Sequence, residues 1–157
     1  MKIKLLVIGK TDDKNLISLI EKYQNRLQRY IGFQIEVIPN IKNTKNLSPL
    51  QQIEKEGQMI LSKLKNTDQM IVLDEKGKEY RSIHFASFLQ KKMNSGIKEL
   101  ILVIGGPYGF SESVYKKSIE KIALSKMTFS HQMIRLFLIE QLYRGFTILK
   151  NEPYHHE

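Results

Sequence analysis

The residues whose types and spacing could do chemistry lie in two places. The first is the run Gly105-Gly106-Pro107-Tyr108-Gly109, which follows an apolar stretch and precedes a serine. Glycines let main-chain N–H and C=O groups come close to a ligand, and open α/β sheets bind ligands at the carboxyl ends of their strands. The run is not G-x-G-x-x-G, and it lacks the Lys-Ser/Thr pair of a Walker A loop. Read alone, it is first of all a tight turn. The second place is the C-terminal part of the chain, with His131 and the tail residues Tyr154, His155 and His156, while His84 stands apart. His131 precedes a long apolar segment, where a helix dipole would favour a neutral imidazole able to hydrogen-bond or accept a proton. Its plainer reading is a polar first-turn residue. Tyr and His in a tail can stack on a nucleobase or exchange protons with it, although chain ends commonly fray. Adjacent histidines without Cys or a nearby carboxylate pair are a poor match to metal-ligand spacing. No metal is expected, and no Ser-His-Asp order or carboxylate pair supports hydrolysis.

These residues need elements to position them. Lys2 to Ile8 reads as a buried strand closed by Gly9. Asp12 and Asp13 open a helix whose apolar face is Leu16, Leu19, Ile20, Tyr23, Leu27 and Tyr30. Phe33 to Val37 alternates as a second strand, ended by Pro39 and a polar loop. Ser48-Pro49-Leu50-Gln51 carries a capping box with proline in the first helical position, starting a helix to about Leu64. Gln69 to Leu73 is a third strand, Asp74 to Lys78 a polar loop, and Ser82 to Gly96 a helix capped by its serine. Leu100 to Ile104 is the fourth strand, Ser111 caps a helix to about Glu120, and Lys121 to Ser125 is a fifth strand. The longest helix runs from about Ser130 to Lys150. This order predicts an α/β fold, a parallel-dominated sheet with helices on both faces, in one domain spanning residues 1–157. The last helix is apolar nearly all round, which calls for burial on nearly all sides. A second copy of the chain is the preferred cover, with a central helix of a monomer as the alternative.

Of the 157 residues, 25 are Lys or Arg and 16 are Asp or Glu, a net charge of +9 that is spread along the chain. A basic folded surface favours phosphate backbones, although a lysine-rich soluble surface would look the same. There is no Cys, which excludes a disulfide framework and a thiol nucleophile. No apolar segment has the length of a membrane span, and the start lacks signal-peptide features, so a cytoplasmic protein is expected.

Three segments, LDEKGK (Leu73 to Lys78), VIGGPYGF (Val103 to Phe110) and LSKMTFSHQMIRLFLIEQLYRGFTILKNEPYHHE (Leu124 to Glu157), carry a resemblance that extends over essentially the whole chain. The sequence resembles the ribosomal RNA large subunit methyltransferase H family, small members of the SPOUT (trefoil-knot) superfamily. The resemblance implies a C-terminal knot, a homodimer, S-adenosylmethionine as methyl donor and 23S rRNA within the ribosome as substrate. It also implies a product, the N3-methyl form of a pseudouridine in the stem-loop at the subunit interface.

Carried over by position, the resemblance implies that Leu73, Gly105, Leu124, Ser125, Lys126, Met127, Thr128 and Phe129 contact the cofactor. It places His131, Tyr154 and His155 near the reacting base, with His155, or Tyr154 through a water, as the candidate proton acceptor. Arg135, Arg144 and His156 are the candidates for RNA contact. Two positions depart from the common pattern: Ser130 stands where proline is frequent, and His156 where arginine is frequent. A non-enzymatic ribosome-binding protein and a transfer-RNA methyltransferase are the alternatives.

Overall fold

The computed structural model describes residues 1–156. Glu157, the end of the tail motif, lies outside the described residues. Five strands form one sheet in the order β2-β1-β4-β3-β5, with every ladder parallel. They are β1 (Lys2–Ile8), β2 (Gly32–Ile38), β3 (Gln69–Glu79), β4 (Glu99–Ile104) and β5 (Glu120–Ala123). The helices are α1 (Lys14–Leu27), α2 (Pro49–Leu61), α3 (Ser82–Asn94), α4 (Glu112–Lys117) and α5 (Met133–Leu149).

The two-residue period of a strand sorts the core into two layers. Ile3, Leu5, Val7, Leu100, Leu102 and Ile104 point to one face, where Leu27, Leu89, Leu138, Leu142 and Phe146 of α1, α3 and α5 cover them. Leu6, Ile8, Val72, Ile101 and Val103 point to the other, under Ile60 of α2 and Val114 of α4. β1 and β4 are therefore apolar at nearly every position because both of their faces are covered. Lys4, the polar exception on β1, lies 3.4 Å from Glu36 on β2 and 3.3 Å from Glu99 on β4. No helix among the described residues is long and apolar enough to cross a membrane.

Local chemistry explains the boundaries. Asp13, not Asp12, caps α1, accepting from the N–H groups of Asn15 and Leu16 at 2.8 and 3.0 Å. Ser48 and Gln51 form the expected capping box. Ser82 is the first residue of α3 rather than its cap; Arg81 holds the cap position, and its side chain does not cap the helix. α4 ends at Lys117, and Glu120, expected to close it, instead opens β5. α5 starts at Met133, three residues after Ser130, whose hydroxyl accepts from the Met133 N–H at 3.2 Å. The loop after β2 contains a single 3-10 turn, Thr44–Asn46.

The largest departure concerns Asp74 to Lys78, expected as a loop and found within β3. The segment does not extend the ladder in register. Leu73 and Lys78 both align with Ile122 of β5, so the four residues between them leave the ladder and return. Gly77 rests directly on the β5 backbone: a Cβ there would be 2.6 Å from the carbonyl carbon of Ile122 and 2.7 Å from the Ile122 nitrogen. Backbone cannot give way as a flexible side chain can. Gly77→Ala should therefore cost about 1–3 kcal/mol by overpacking, and at about 2–4 °C per kcal/mol for this size lower the melting temperature visibly. Thermal denaturation followed by circular dichroism checks this; an unchanged melting temperature would refute the close approach.

Candidate active site

The carboxyl ends of β3, β4 and β5 open into a cavity of about 440 Å³, a size suited to a small organic ligand. Each strand supplies one wall by running straight into a lining segment. Leu73 to Lys76 follow the paired part of β3, Gly105 to Phe110 follow β4, and Leu124 and Ser125 follow β5. Met127, Thr128, Phe129 and His131 complete the rim, with Ile134 from the first turn of α5.

The glycine loop is closed by the Gly109 N–H, which donates to the Gly106 carbonyl at 3.3 Å. Glu56 of α2 lies behind it. A Cβ on Gly106 would be 2.3 Å from Glu56 Oε2, so any larger residue there must displace this carboxylate. Glu56 is 3% exposed; its Oε1 accepts from Gln52 Nε2 at 2.8 Å and its Oε2 has no partner. Two acids on the β3 side tie the walls together. Asp74 accepts from the Tyr115 hydroxyl and from the Lys76 N–H, and Glu75 accepts from Thr128 Oγ1 at 3.0 Å. Burial, reinforced by the bond to Asp74, pushes the Tyr115 phenol well above its ordinary value. Glu56, Asp74, Glu75 and Tyr115 were not among the sequence candidates.

The structure thus gathers Leu73, Gly105, Leu124, Ser125, Met127, Thr128, Phe129 and His131 around one cavity. Lys126 does not line it; its ammonium turns toward Glu79 at 3.8 Å. The tail residues lie elsewhere. The Tyr154 hydroxyl donates to Glu140 at 3.0 Å and lies 3.3 Å from the Tyr23 hydroxyl, with its ring edge-on to Tyr143 at 4.7 Å. Arg144 sits over the Tyr154 ring at 4.7 Å and pairs with Glu140 at 2.6 Å. The Tyr30 hydroxyl donates to Glu152. His155 Nε2 is buried without a partner, and His156 is exposed. Arg135 is 2% exposed and donates to the Ile8 carbonyl at 2.7 Å and to Thr11 Oγ1 at 2.9 Å, fastening the start of α5 to the carboxyl end of β1. Its burial lowers its proton affinity, opposed by Asp12.

The family model "Predicted SPOUT methyltransferase" matches residues 1–155. The chain belongs to the SPOUT methyltransferase family. Among the relatives it resembles is the ribosomal RNA large subunit methyltransferase H of Flavobacterium psychrophilum, 68% identical over 157 residues and 100% of both chains. The protein of the same name from Flavobacterium johnsoniae is 66% identical, again over 100% of both chains. A solved structure, a probable methylase family protein from Haemophilus influenzae, superposes with a TM-score of 0.50 at 11% identity. That match covers 95% of this chain and 66% of the other, and it bears on the fold alone. The polar tail of this chain lies outside the cavity walled by the three strand ends.

The tail has a measurable signature. Burial first, then the bonds to Tyr23 and Glu140, pushes the Tyr154 phenol up, and the bond to Glu152 pushes Tyr30 up to about 12. A phenol whose pKa is higher in the folded chain contributes stability that is complete below the ordinary value of 10.0 and is lost as pH rises through the raised value. Stability should therefore fall above about pH 10. Tyr154→Phe, which has no proton to lose, should fall less steeply in urea titrations between pH 9 and 12; parallel slopes would contradict the tail contacts.

Proposed function

We propose that this chain transfers a methyl group from S-adenosylmethionine to N3 of a pseudouridine in the 23S rRNA of the assembled ribosome. It does so as a cytoplasmic homodimer of single-domain subunits, each with the C-terminal knot that the resemblance implies. The observation that carries the reading is the convergence of the segments after β3, β4 and β5 on one cavity. The residues there fit the donor. Leu73, Leu124 and Met127 offer an apolar slot for a flat base, and the glycine loop offers main-chain groups. The carboxylates of Asp74 and Glu75 suit the cationic end of the molecule. Bound there, S-adenosylmethionine supplies a methyl carbon on a sulfonium leaving group.

The chain's own task is alignment and proton removal. Fixing acceptor and donor in one cavity supplies much of the rate through orientation. N3 must lose its proton as its bond to carbon forms. His131 lines the cavity and can hold the base by hydrogen bonding. His155, whose Nε2 is left without a partner among the described residues, takes the proton in this reading. Tyr154, kept as a phenol by its raised pKa, donates a hydrogen bond and orients the tail. Arg135, spent on Ile8 and Thr11, positions α5 rather than touching RNA.

A second subunit reconciles the cavity with the tail. The Tyr154 hydroxyl sits at Glu140, two turns or about 10 Å along α5 from Met133. The tail therefore serves the cavity of the partner. α5 offers a surface for that partner: Phe137 is 38% and Met133 36% exposed, and the Phe137 ring contacts Phe129 at 5.2 Å. The chain should sediment as a dimer at micromolar concentration, and a monomer would refute the arrangement.

Methyl transfer from labelled S-adenosylmethionine to intact ribosomes, free 23S rRNA and transfer RNA tests the substrate; ribosomes should be the preferred acceptor. His155→Ala should slow single-turnover methylation by about 10²-fold or more, the usual worth of a general base, while calorimetry shows unchanged cofactor binding. Mixing a tail-defective His155→Ala chain with a cavity-defective Gly106→Val chain should restore activity through the one complete site. Mixtures as inactive as their components would place tail and cavity in the same chain.

A further inference from the structure

A second concavity, of about 700 Å³, lies between α3 and the returning end of β3. Its cationic lining is Lys78, Lys91 and Lys92, with His84 beside them and the Tyr80 and Phe88 rings as the floor. The Lys78 ammonium lies 4.7 Å from the centre of the Tyr80 ring and the Lys92 ammonium 5.3 Å from that of Phe88. The rings themselves are 5.3 Å apart. Ring faces hold ammonium groups upright without neutralising them. None of the three lysines makes an ion pair among the described residues; Lys92 has one neutral partner, Gln69 Oε1 at 3.5 Å. The two acids of the groove are turned to other groups. Glu120 accepts from the Tyr80 hydroxyl at 2.5 Å, and Glu79 faces Lys126 at 3.8 Å.

We propose that this groove is an RNA-contact site that holds the phosphodiester backbone beside the nucleotide presented to the cavity. The proposal rests on the reading of RNA as substrate. Two observations favour an RNA strand over a free small anion. The groove is open, and its cations come from two elements, Lys78 from β3 and Lys91 and Lys92 from the last turn of α3. It also adjoins the candidate active site: on the returning end of β3 the last cavity-lining residue is Lys76, the next groove-lining residue is Lys78, and Gly77 alone separates them. Their Cα atoms are at most about 7 Å apart, so one strand can occupy both. Lysines give such a contact affinity and register without sequence preference.

The test removes the three charges together in the full-length protein, as Lys78→Ala/Lys91→Ala/Lys92→Ala. Lys42→Ala/Lys45→Ala/Lys55→Ala, exposed on the opposite layer, is the charge-matched control. Circular dichroism establishes folding, and the single variant Lys91→Glu serves if the triple variant does not fold. Fluorescence anisotropy with a 23S rRNA stem-loop, read across a salt series, should show at least tenfold weaker binding. The slope of log affinity against log salt should be about 2–3 smaller in magnitude, one for each lost phosphate contact. Calorimetry with S-adenosylmethionine should be unchanged, and in methylation of ribosomes KM should rise while kcat is kept. Equal losses in the groove and control variants, or no loss in either, overturn the groove. A wild-type chain that binds RNA through the groove but methylates none overturns the proposed reaction and leaves the groove standing. A wild-type chain that binds no RNA overturns both.

Discussion

The contact on which most of the molecule depends is backbone against backbone. Gly77 lies on the Lys121–Ile122 stretch of β5 with no room for a single methyl group. That contact sets the course of the whole segment between Leu73 and Tyr80. It turns Asp74 and Glu75 inward, where they meet Tyr115 and Thr128, and turns Lys78 outward onto the Tyr80 ring. One short stretch of chain thus forms a wall of the cavity and then a wall of the basic groove. The other cavity walls follow from parallel strands that end at the same level. A ligand site at such ends costs the fold nothing extra, because the loops are already there.

The long helix has the complementary task of connecting things that are far apart. Its first turn is fixed to the end of β1 through Arg135, and Ile134 reaches the cavity. Its last turns carry the tail, whose Tyr154 packs edge-on against Tyr143 and is hydrogen-bonded to α1 and α5. The cost is an apolar flank that α1 and α3 do not cover. Polar chemistry at one end and a bonded tail at the other frame that bare side, which is the surface assigned to a second copy in the proposed dimer.

Much of the architecture was legible from periodicity. The continuous apolar runs of β1 and β4 could belong only to strands covered on both faces, and the capping box at Ser48 marked the start of α2 to the residue, although the helix ends at Leu61, short of the expected Leu64. Asp74 to Lys78 was misread because its polar residues carry no alternation. The signal for its true path was Gly77 itself, and a contact with a strand 45 positions later leaves no trace in local pattern. The start of α5 was placed early because Ser130 does act as a cap, but through its hydroxyl, with two turn residues between. The motif residues of the cavity were identifiable because each follows a strand. Glu56 was not, since α2 reaches the glycine loop only through the fold. The separation of the tail from the cavity was equally hidden, because a motif that groups His131 with Tyr154 says nothing about where along the helix between them the tail folds back.

The strand order also dictates a timetable. β1 acquires β2 early, but its other edge waits for β4, since Lys2 pairs with Glu99. At about 5–20 residues per second of synthesis, β1 spends on the order of 5–20 s with one side open on the ribosome. β5 must then settle beneath the Gly77 segment, and α5 must close over both, before any part of the cavity exists. The nascent chain therefore carries an apolar strand with one open edge for much of its synthesis, which exposes it to aggregation and to capture by chaperones.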